Sequence, residues 1–284
     1  MADIDSLGKF VTAWCPGCGN FGILDAAKDA FVRLERDMHS FVLVSGIGQA
    51  AKFPQYLNCN FFNGLHGRAI PAATGIKMAN RDLNVIVFSG DGDIYGEGGN
   101  HFMHAIRRNI DITVIVHNNQ VYGLTKGQAS PTSDLGFVTK VQSHGVINEP
   151  FHPLGVAIAL GAGFVGRSFS GDKEHLSWMI QEAVKFKGFS LVDVLQPCVT
   201  FNKKNNFIWY KQRVYKLTAE YDPHNKQAAY EKSMEWGDKI PIGILYKDGR
   251  VTYEDACGLM KDKALIQQSV SDPARIDPAL KEFL

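Results

Sequence analysis

The chain has 284 residues, enough for one domain with a full hydrophobic core and no need of disulfides. Apolar residues make up 45% of it and charged residues 21%, the balance of a soluble globular protein. With 30 Lys and Arg against 29 Asp and Glu the net charge is +1, which argues against nucleic acid as a partner, because that would call for a basic stripe.

In chain order, the N-terminus (Met1 to Asp5) has neither the positive nor the apolar region of a secretory signal, so the expected location is the cytoplasm. There the five cysteines stay reduced and serve as ligands or buried thiols. Phe41 to Ser45 reads as a strand, 71–80 as a helix and 84–89 as a strand. Residues 98–108 then read as a helix, 112–117 as a strand, 173–187 as a helix and 189–195 as a strand. The apolar runs Val85–Phe88 and Ile112–Val116 are far too short to cross a membrane, so no membrane association is expected. Uniformly apolar strands alternating with helices predict an α/β fold, a parallel sheet flanked by helices. Residues 1–200 are expected to form this domain. Residues 201–284, rich in Lys, Asn and aromatics at their start, are expected to form a C-terminal arm packing on the domain or on a partner. Within it, 242–253 with its Asp248-Gly249 turn suggests a small hairpin.

The strongest chemical signal is Gly90-Asp91-Gly92-Asp93 after one buried strand and Asn118-Asn119-Gln120-Val121 after the next. One βαβ crossover separates them, so both lie at the same sheet edge on neighbouring strands. Mg²⁺ takes hard oxygen ligands and shares them with substrate phosphates. Asp91 offers a carboxylate, Asn119 an amide oxygen and Val121 a backbone carbonyl. Gly90 and Gly92 let the backbone approach a diphosphate, and the helix start near Gly98 offers free amides.

Cys15-Pro16-Gly17-Cys18 is by itself ambiguous among a redox dithiol, zinc ligands and half an iron–sulfur site. Cys59 and Cys198 can complete four thiolates, which suit Zn²⁺ or a [4Fe–4S] cluster equally. Cys257 sits in a helical context without partners and reads as a bystander.

With Trp14–Asn20 (WCPGCGN), Ser45–Lys52 (SGIGQAAK), Leu65–Lys77 (LHGRAIPAATGIK) and Asn118–Ser133 (NNQVYGLTKGQASPTS), the sequence resembles the thiamine-diphosphate-binding β subunit of 2-oxoacid:ferredoxin oxidoreductases, nearest the 2-oxoglutarate branch. The resemblance runs from about Val11 to about Asn202. It implies the thiamine-diphosphate-binding fold, with the cofactor contacting Gly46, Ile47, Gly48, His66, Gly67, Gly90, Asp91, Gly92, Asp93, Asn119, Val121, Gly123 and Leu124. Asp91, Asn119 and Val121 would hold Mg²⁺, and Leu124 would support the cofactor's folded conformation. The cofactor supplies the difficult carbanion chemistry. The resemblance also implies one [4Fe–4S] cluster on Cys15, Cys18, Cys59 and Cys198. Where many relatives carry the third cysteine, directly after the Gly-Ile-Gly turn, this chain has Gln49, and Cys59 follows ten residues later. The implied partners are a larger α subunit that supplies the aminopyrimidine glutamate and the coenzyme A site, in an (αβ)₂ assembly, and ferredoxin.

Lys52 and Lys126 follow glycine-bearing turns and are candidates for binding a 2-oxoacid carboxylate. His66-Gly67-Arg68 is a candidate for the diphosphate or substrate, or for a purely structural role. A rival reading takes Gly46-x-Gly48-x-x-Ala51 as a dinucleotide fingerprint, but the acidic residue expected some 20 positions later is missing. A non-catalytic metal-binding subunit would explain the cysteines but not the Gly-Asp-Gly-Asp and Asn-Asn pair.

Overall fold

Each apolar strand is followed by a segment long enough to carry the chain back across the sheet, and parallel pairing results. The computed structural model describes residues 3–261, 263–268 and 277–283, so Met1, Ala2 and part of the expected C-terminal arm lie outside the described residues. The strands are β1 (Phe41–Ser45), β2 (Asn60–Asn63), β3 (Asn84–Gly90), β4 (Thr113–Asn118), β5 (Val121–Tyr122), β6 (Gln128–Ala129), β7 (Phe164–Phe169), β8 (Ser190–Leu195), β9 (Val214–Lys216) and β10 (Ile240–Lys247). Eight of them form one sheet in the order β2-β1-β3-β4-β8-β7-β10-β9, and β5 and β6 form a separate ribbon. From β2 to β7 every pairing is parallel, while β10 runs antiparallel to β7 and carries β9 parallel to itself.

Alternate residues of the central strands supply two cores, one on each face, as the two-residue period of a strand requires. Val85, Val87, Val114 and Val116 pack with helices α2 (Ala69–Ala79) and α3 (Gly99–Arg108). Ile86, Phe88, Ile115, Val192 and Val194 face the other way, onto α1 (Gly19–Arg33) and a later helix, Lys173–Lys185.

Two local expectations are revised, and one turn bears on the rival dinucleotide reading. The helix expected from residue 98 is preceded by a π-helical turn, Gly92–Glu97, so the chain turns helical directly after Asp91 and not near Gly98. No hairpin forms over 242–253. Those residues divide between β10, which completes the main sheet, and a short helix at Tyr253–Ala256 capped by the Thr252 side chain. After the Gly46–Gly48 turn comes a 3₁₀ helix, Ala50–Tyr56, containing Pro54. That is not the long α-helix a dinucleotide fingerprint needs to present its N-terminus to a pyrophosphate.

The register places the site. Gly90 pairs with His117 and Asn118 with Leu195, so the carboxyl ends of β3, β4 and β8 line up. Asp91, Asn119 and the Gln196-Pro197-Cys198 segment therefore emerge together, at the edge where open α/β sheets bind ligands.

Candidate functional site

Asp91 leaves β3 fully buried, at 1% exposure. Burial pushes its carboxyl up to about 6, although the Ser130 and Thr132 hydroxyls work against the shift. Ser130 Oγ donates to Asp91 Oδ2 at 2.5 Å and Thr132 Oγ1 to the same oxygen at 2.7 Å. Both side-chain hydrogen bonds fall on Oδ2. A buried carboxylate in this state is best compensated by a cation. Gly92 follows because nothing larger fits: a Cβ there would lie 2.3 Å from the Tyr122 ring.

Thr132 Oγ1 also lies 2.9 Å from Asn118 Oδ1, and Asn118 Nδ2 donates to the buried Asp193 at 3.2 Å. Asp193 accepts a further hydrogen bond from Tyr95 at 2.8 Å. Asn119 makes an Asx-type turn, its Oδ1 accepting from the Val121 amide at 3.0 Å. Its carbonyl accepts from Asn202 at 3.3 Å. Gln120 between them takes a left-handed φ of 61° and is fixed by Nε2 donating to the Thr132 carbonyl at 2.7 Å.

Asp93 serves as a clasp. Its Oδ1 accepts from the amides of Ile47 at 3.0 Å and Gly67 at 2.7 Å, and its Oδ2 accepts from Ser89 Oγ at 2.8 Å. His66 Nδ1 lies 3.0 Å from the same Oδ1. The Gly46–Gly48 turn and the His66–Gly67 turn are thus tied to the residue two beyond Asp91. Gly46 must be glycine here, since a Cβ would stand 2.1 Å from Asp93 Oδ2.

The cysteines divide. The Cys15–Cys18 segment opens α1, with Cys18 as its capping residue and no strand before it among the described residues. A cavity of about 300 Å³ is lined by Cys15, Cys18, Cys198, Gln49, Gln196 and also by Asn119, Gly123, Leu124 and Lys126. The metal-side and cofactor-side candidates thereby share one chamber. Burial pushes the Cys18 thiol up to about 11, with smaller contributions from nearby Cys198 and Cys15. Cys59 is set apart. It packs against the apolar cluster beside α1, its Sγ faces the Pro54 carbonyl at 3.9 Å, and burial pushes its thiol up to about 12. As they stand, no three His, Cys, Asp or Glu side chains among the described residues are close enough together to hold an ion.

Leu124 is 40% exposed and overhangs the cavity. Lys126 joins it with φ of 83°, a left-handed conformation that a lysine adopts only under constraint. Lys52 sits half-buried on the 3₁₀ helix, outside the lining of this cavity. Ser130, Thr132, Gln196 and Asn202 were not singled out from the sequence. The only signal was the Ser130-Pro131-Thr132-Ser133 run, and hydroxyl residues around a proline are ordinary loop composition.

The first definition of the chain comes from its central segment. Residues 43–194 match the thiamine pyrophosphate enzyme C-terminal TPP-binding domain. Residues 198–262 match the C-terminal region of the pyruvate ferredoxin oxidoreductase beta subunit. The 2-oxoacid:ferredoxin oxidoreductase subunit beta of a Sulfolobus species is 46% identical, over 95% of both chains. The 2-oxoglutarate synthase subunit KorB of Archaeoglobus fulgidus is 44% identical over 68% of this chain and 72% of its own. A solved structure, the 2-oxoglutarate:ferredoxin oxidoreductase of Magnetococcus marinus with 2-oxoglutarate, coenzyme A and succinyl-CoA bound, superposes with a TM-score of 0.91. It is 34% identical and covers 99% of this chain and 96% of its own. The chain belongs to the beta subunits of the 2-oxoacid:ferredoxin oxidoreductases.

Proposed function

We propose that the chain is the thiamine-diphosphate-binding subunit of a 2-oxoglutarate:ferredoxin oxidoreductase. It would act with a larger α subunit in an (αβ)₂ assembly in the cytoplasm. The overall reaction converts 2-oxoglutarate, coenzyme A and oxidised ferredoxin to succinyl-CoA, carbon dioxide and reduced ferredoxin, and it can run in reverse as a carboxylation. The observation that carries this reading is the shared cavity, in which Asn119, Gly123 and Leu124 open onto the same space as Cys15, Cys18 and Cys198. A cofactor that releases electrons and a cluster that accepts them need to be neighbours. The likeness to a solved 2-oxoglutarate:ferredoxin oxidoreductase supports the choice of acid.

Thiamine diphosphate, when bound, supplies the carbanion chemistry that cleaves the bond to the substrate carboxylate. Asp91, Asn119 and the Val121 carbonyl would hold Mg²⁺ against the diphosphate, a set of hard oxygens suited to that ion. Ser130 and Thr132 hold the Asp91 carboxylate through Oδ2, which would steady it as a ligand for that ion. Asp93 holds the turns at Gly46–Gly48 and His66–Gly67 in place, where they would contact the cofactor. Leu124 would brace the cofactor from below. Lys126 offers the cation that a dianionic 2-oxoacid requires. Among the described residues no helix is long and apolar enough to cross a membrane.

The test is 2-oxoglutarate-dependent, coenzyme A-dependent reduction of a viologen dye by the chain alone and together with its α subunit. The complex should turn over and the chain alone should not. Full turnover by the single chain would contradict the division of labour proposed here.

A further inference from the structure

The sulfurs of Cys15, Cys18 and Cys198 are each approached by a hydrogen-bond donor. Thr200 Oγ1 donates to Cys15 Sγ at 3.1 Å, Gln196 Nε2 to Cys18 Sγ at 3.4 Å and the Phe201 amide to Cys198 Sγ at 3.4 Å. Donors around sulfur are what a metal-bound thiolate requires, since they spread its negative charge and set the potential of a cluster. Cys59 has the opposite surroundings. Its sulfur faces a backbone carbonyl, an acceptor that would repel a thiolate, and it does not line the cavity.

Gln49 also lines the cavity. Its carbonyl is fixed by the Trp14 indole N–H at 2.7 Å, which ties the glycine turn to the residue preceding Cys15. The Gln49 Oε1 is buried and has no hydrogen-bond partner, and the same holds for Oε1 of Gln196 on the cysteine side of the cavity. A buried amide oxygen without a donor is destabilising. Both residues line the cavity that holds the three thiols, so each oxygen is available to an electropositive occupant.

We infer that this cavity holds an iron–sulfur cluster on three thiolates, Cys15, Cys18 and Cys198, with the Gln49 carboxamide facing the fourth iron and Cys59 outside the coordination. The inference rests on the reading above, that this subunit carries a cluster beside the thiamine site. An amide oxygen is a hard ligand and a poor match for cluster iron. The fourth iron is therefore the removable one. A one-electron oxidant such as ferricyanide takes one electron from [4Fe–4S]²⁺, the iron not held by cysteine leaves as Fe²⁺, and [3Fe–4S]⁺ stays on the three thiolates. All four sulfides remain, and Fe²⁺ with a one-electron reductant reverses the step.

The experiment uses the full chain purified anaerobically with its α subunit. Iron, sulfide and thiamine diphosphate contents are measured, and EPR spectra are recorded before and after stoichiometric ferricyanide. The wild type should lose about one iron in four and acquire the signal of [3Fe–4S]⁺, reversed by Fe²⁺ and dithionite. Cys59→Ser should behave as the wild type, Cys15→Ser should lose the cluster, and Gln49→Cys should abolish the conversion. A cluster lost in Cys59→Ser, or a wild-type cluster that withstands ferricyanide unchanged, overturns the inference. Thiamine diphosphate bound without any cluster also overturns it while leaving the thiamine assignment standing. Absence of both is the failure of the underlying functional reading.

Discussion

Thr132 Oγ1 lies 2.7 Å from Asp91 Oδ2 and holds the carboxylate at the end of β3 against the loop that follows β6. The same hydroxyl touches Asn118, which hydrogen-bonds the buried Asp193 beneath the sheet edge. Asp91 is thus oriented by a chain of polar groups that reaches across β3, β4 and β8. Residues that orient a metal ligand typically cost 10–100-fold in affinity when removed. Thr132→Val keeps the shape and removes the hydroxyl, so thiamine diphosphate affinity at fixed Mg²⁺ should fall by about tenfold. Calorimetric titration checks this, and unchanged affinity would show that the hydroxyl does not position Asp91.

The Asp93 clasp gives a prediction about stability. Asp93→Ala leaves the amides of Ile47 and Gly67 and the Ser89 hydroxyl without their acceptor. Buried donors left unpaired cost about 1–3 kcal/mol each, of which local relaxation recovers part. A loss of about 3 kcal/mol is expected from the midpoint of denaturant unfolding. The effect on the two turns should also appear as faster amide exchange at Ile47 and Gly67.

The central strands were legible because each is a bounded apolar run, and Phe41–Ser45 was read with its observed ends. The pairing of Asp91 with the Asn119 turn was legible for a topological reason, one crossover between two buried strands. The antiparallel end of the sheet was not. Residues 242–253 looked like a local hairpin, because a strand such as β10 that pairs with β7 and β9 across long sequence separations leaves no local signal. The clasp role of Asp93 was also hidden, since an acidic residue two positions from a ligand looks the same whether it faces a cofactor or the protein's own amides. Cys59 was read as a fourth ligand from its spacing, and spacing carries no sign of what its sulfur meets in the fold, the Pro54 carbonyl outside the cavity that Cys15, Cys18 and Cys198 share.

Acid should destabilise the fold through His175. The ring is buried and its Nδ1 lies 2.8 Å from Ser168 Oγ. Burial lowers its pKa from 6.5 to about 4, against the raising influence of Asp172 and together with the lowering influence of Lys216. The unfolded chain therefore binds a proton that the folded chain does not between about pH 4 and 6.5. His175 contributes its stability above that window and loses it as pH falls through it, by at most about 1.4 kcal/mol per pH unit. His175→Gln should flatten this part of the stability–pH curve measured by urea unfolding. An unchanged slope would show that another group is responsible.

Lys126 separates folding from function. Its left-handed backbone costs on the order of 1 kcal/mol, which glycine would not incur. Lys126→Gly should raise the melting temperature slightly while raising KM for 2-oxoglutarate by about tenfold, the loss of one charge-assisted contact. Lys126→Gln should raise KM to the same extent without the thermal gain. Equal KM values in all three proteins would remove Lys126 from the substrate site.

The central claim is that Asp91 anchors thiamine diphosphate through a divalent cation at the junction of β3 and β4. The most direct measurement is isothermal titration of thiamine diphosphate into Asp91→Ala and wild-type protein, each complexed with the α subunit, with Mg²⁺ and with EDTA. The account predicts Mg²⁺-dependent binding by the wild type and its loss in Asp91→Ala, with unfolding of the variant still cooperative. Near-normal, Mg²⁺-dependent affinity in Asp91→Ala would contradict it.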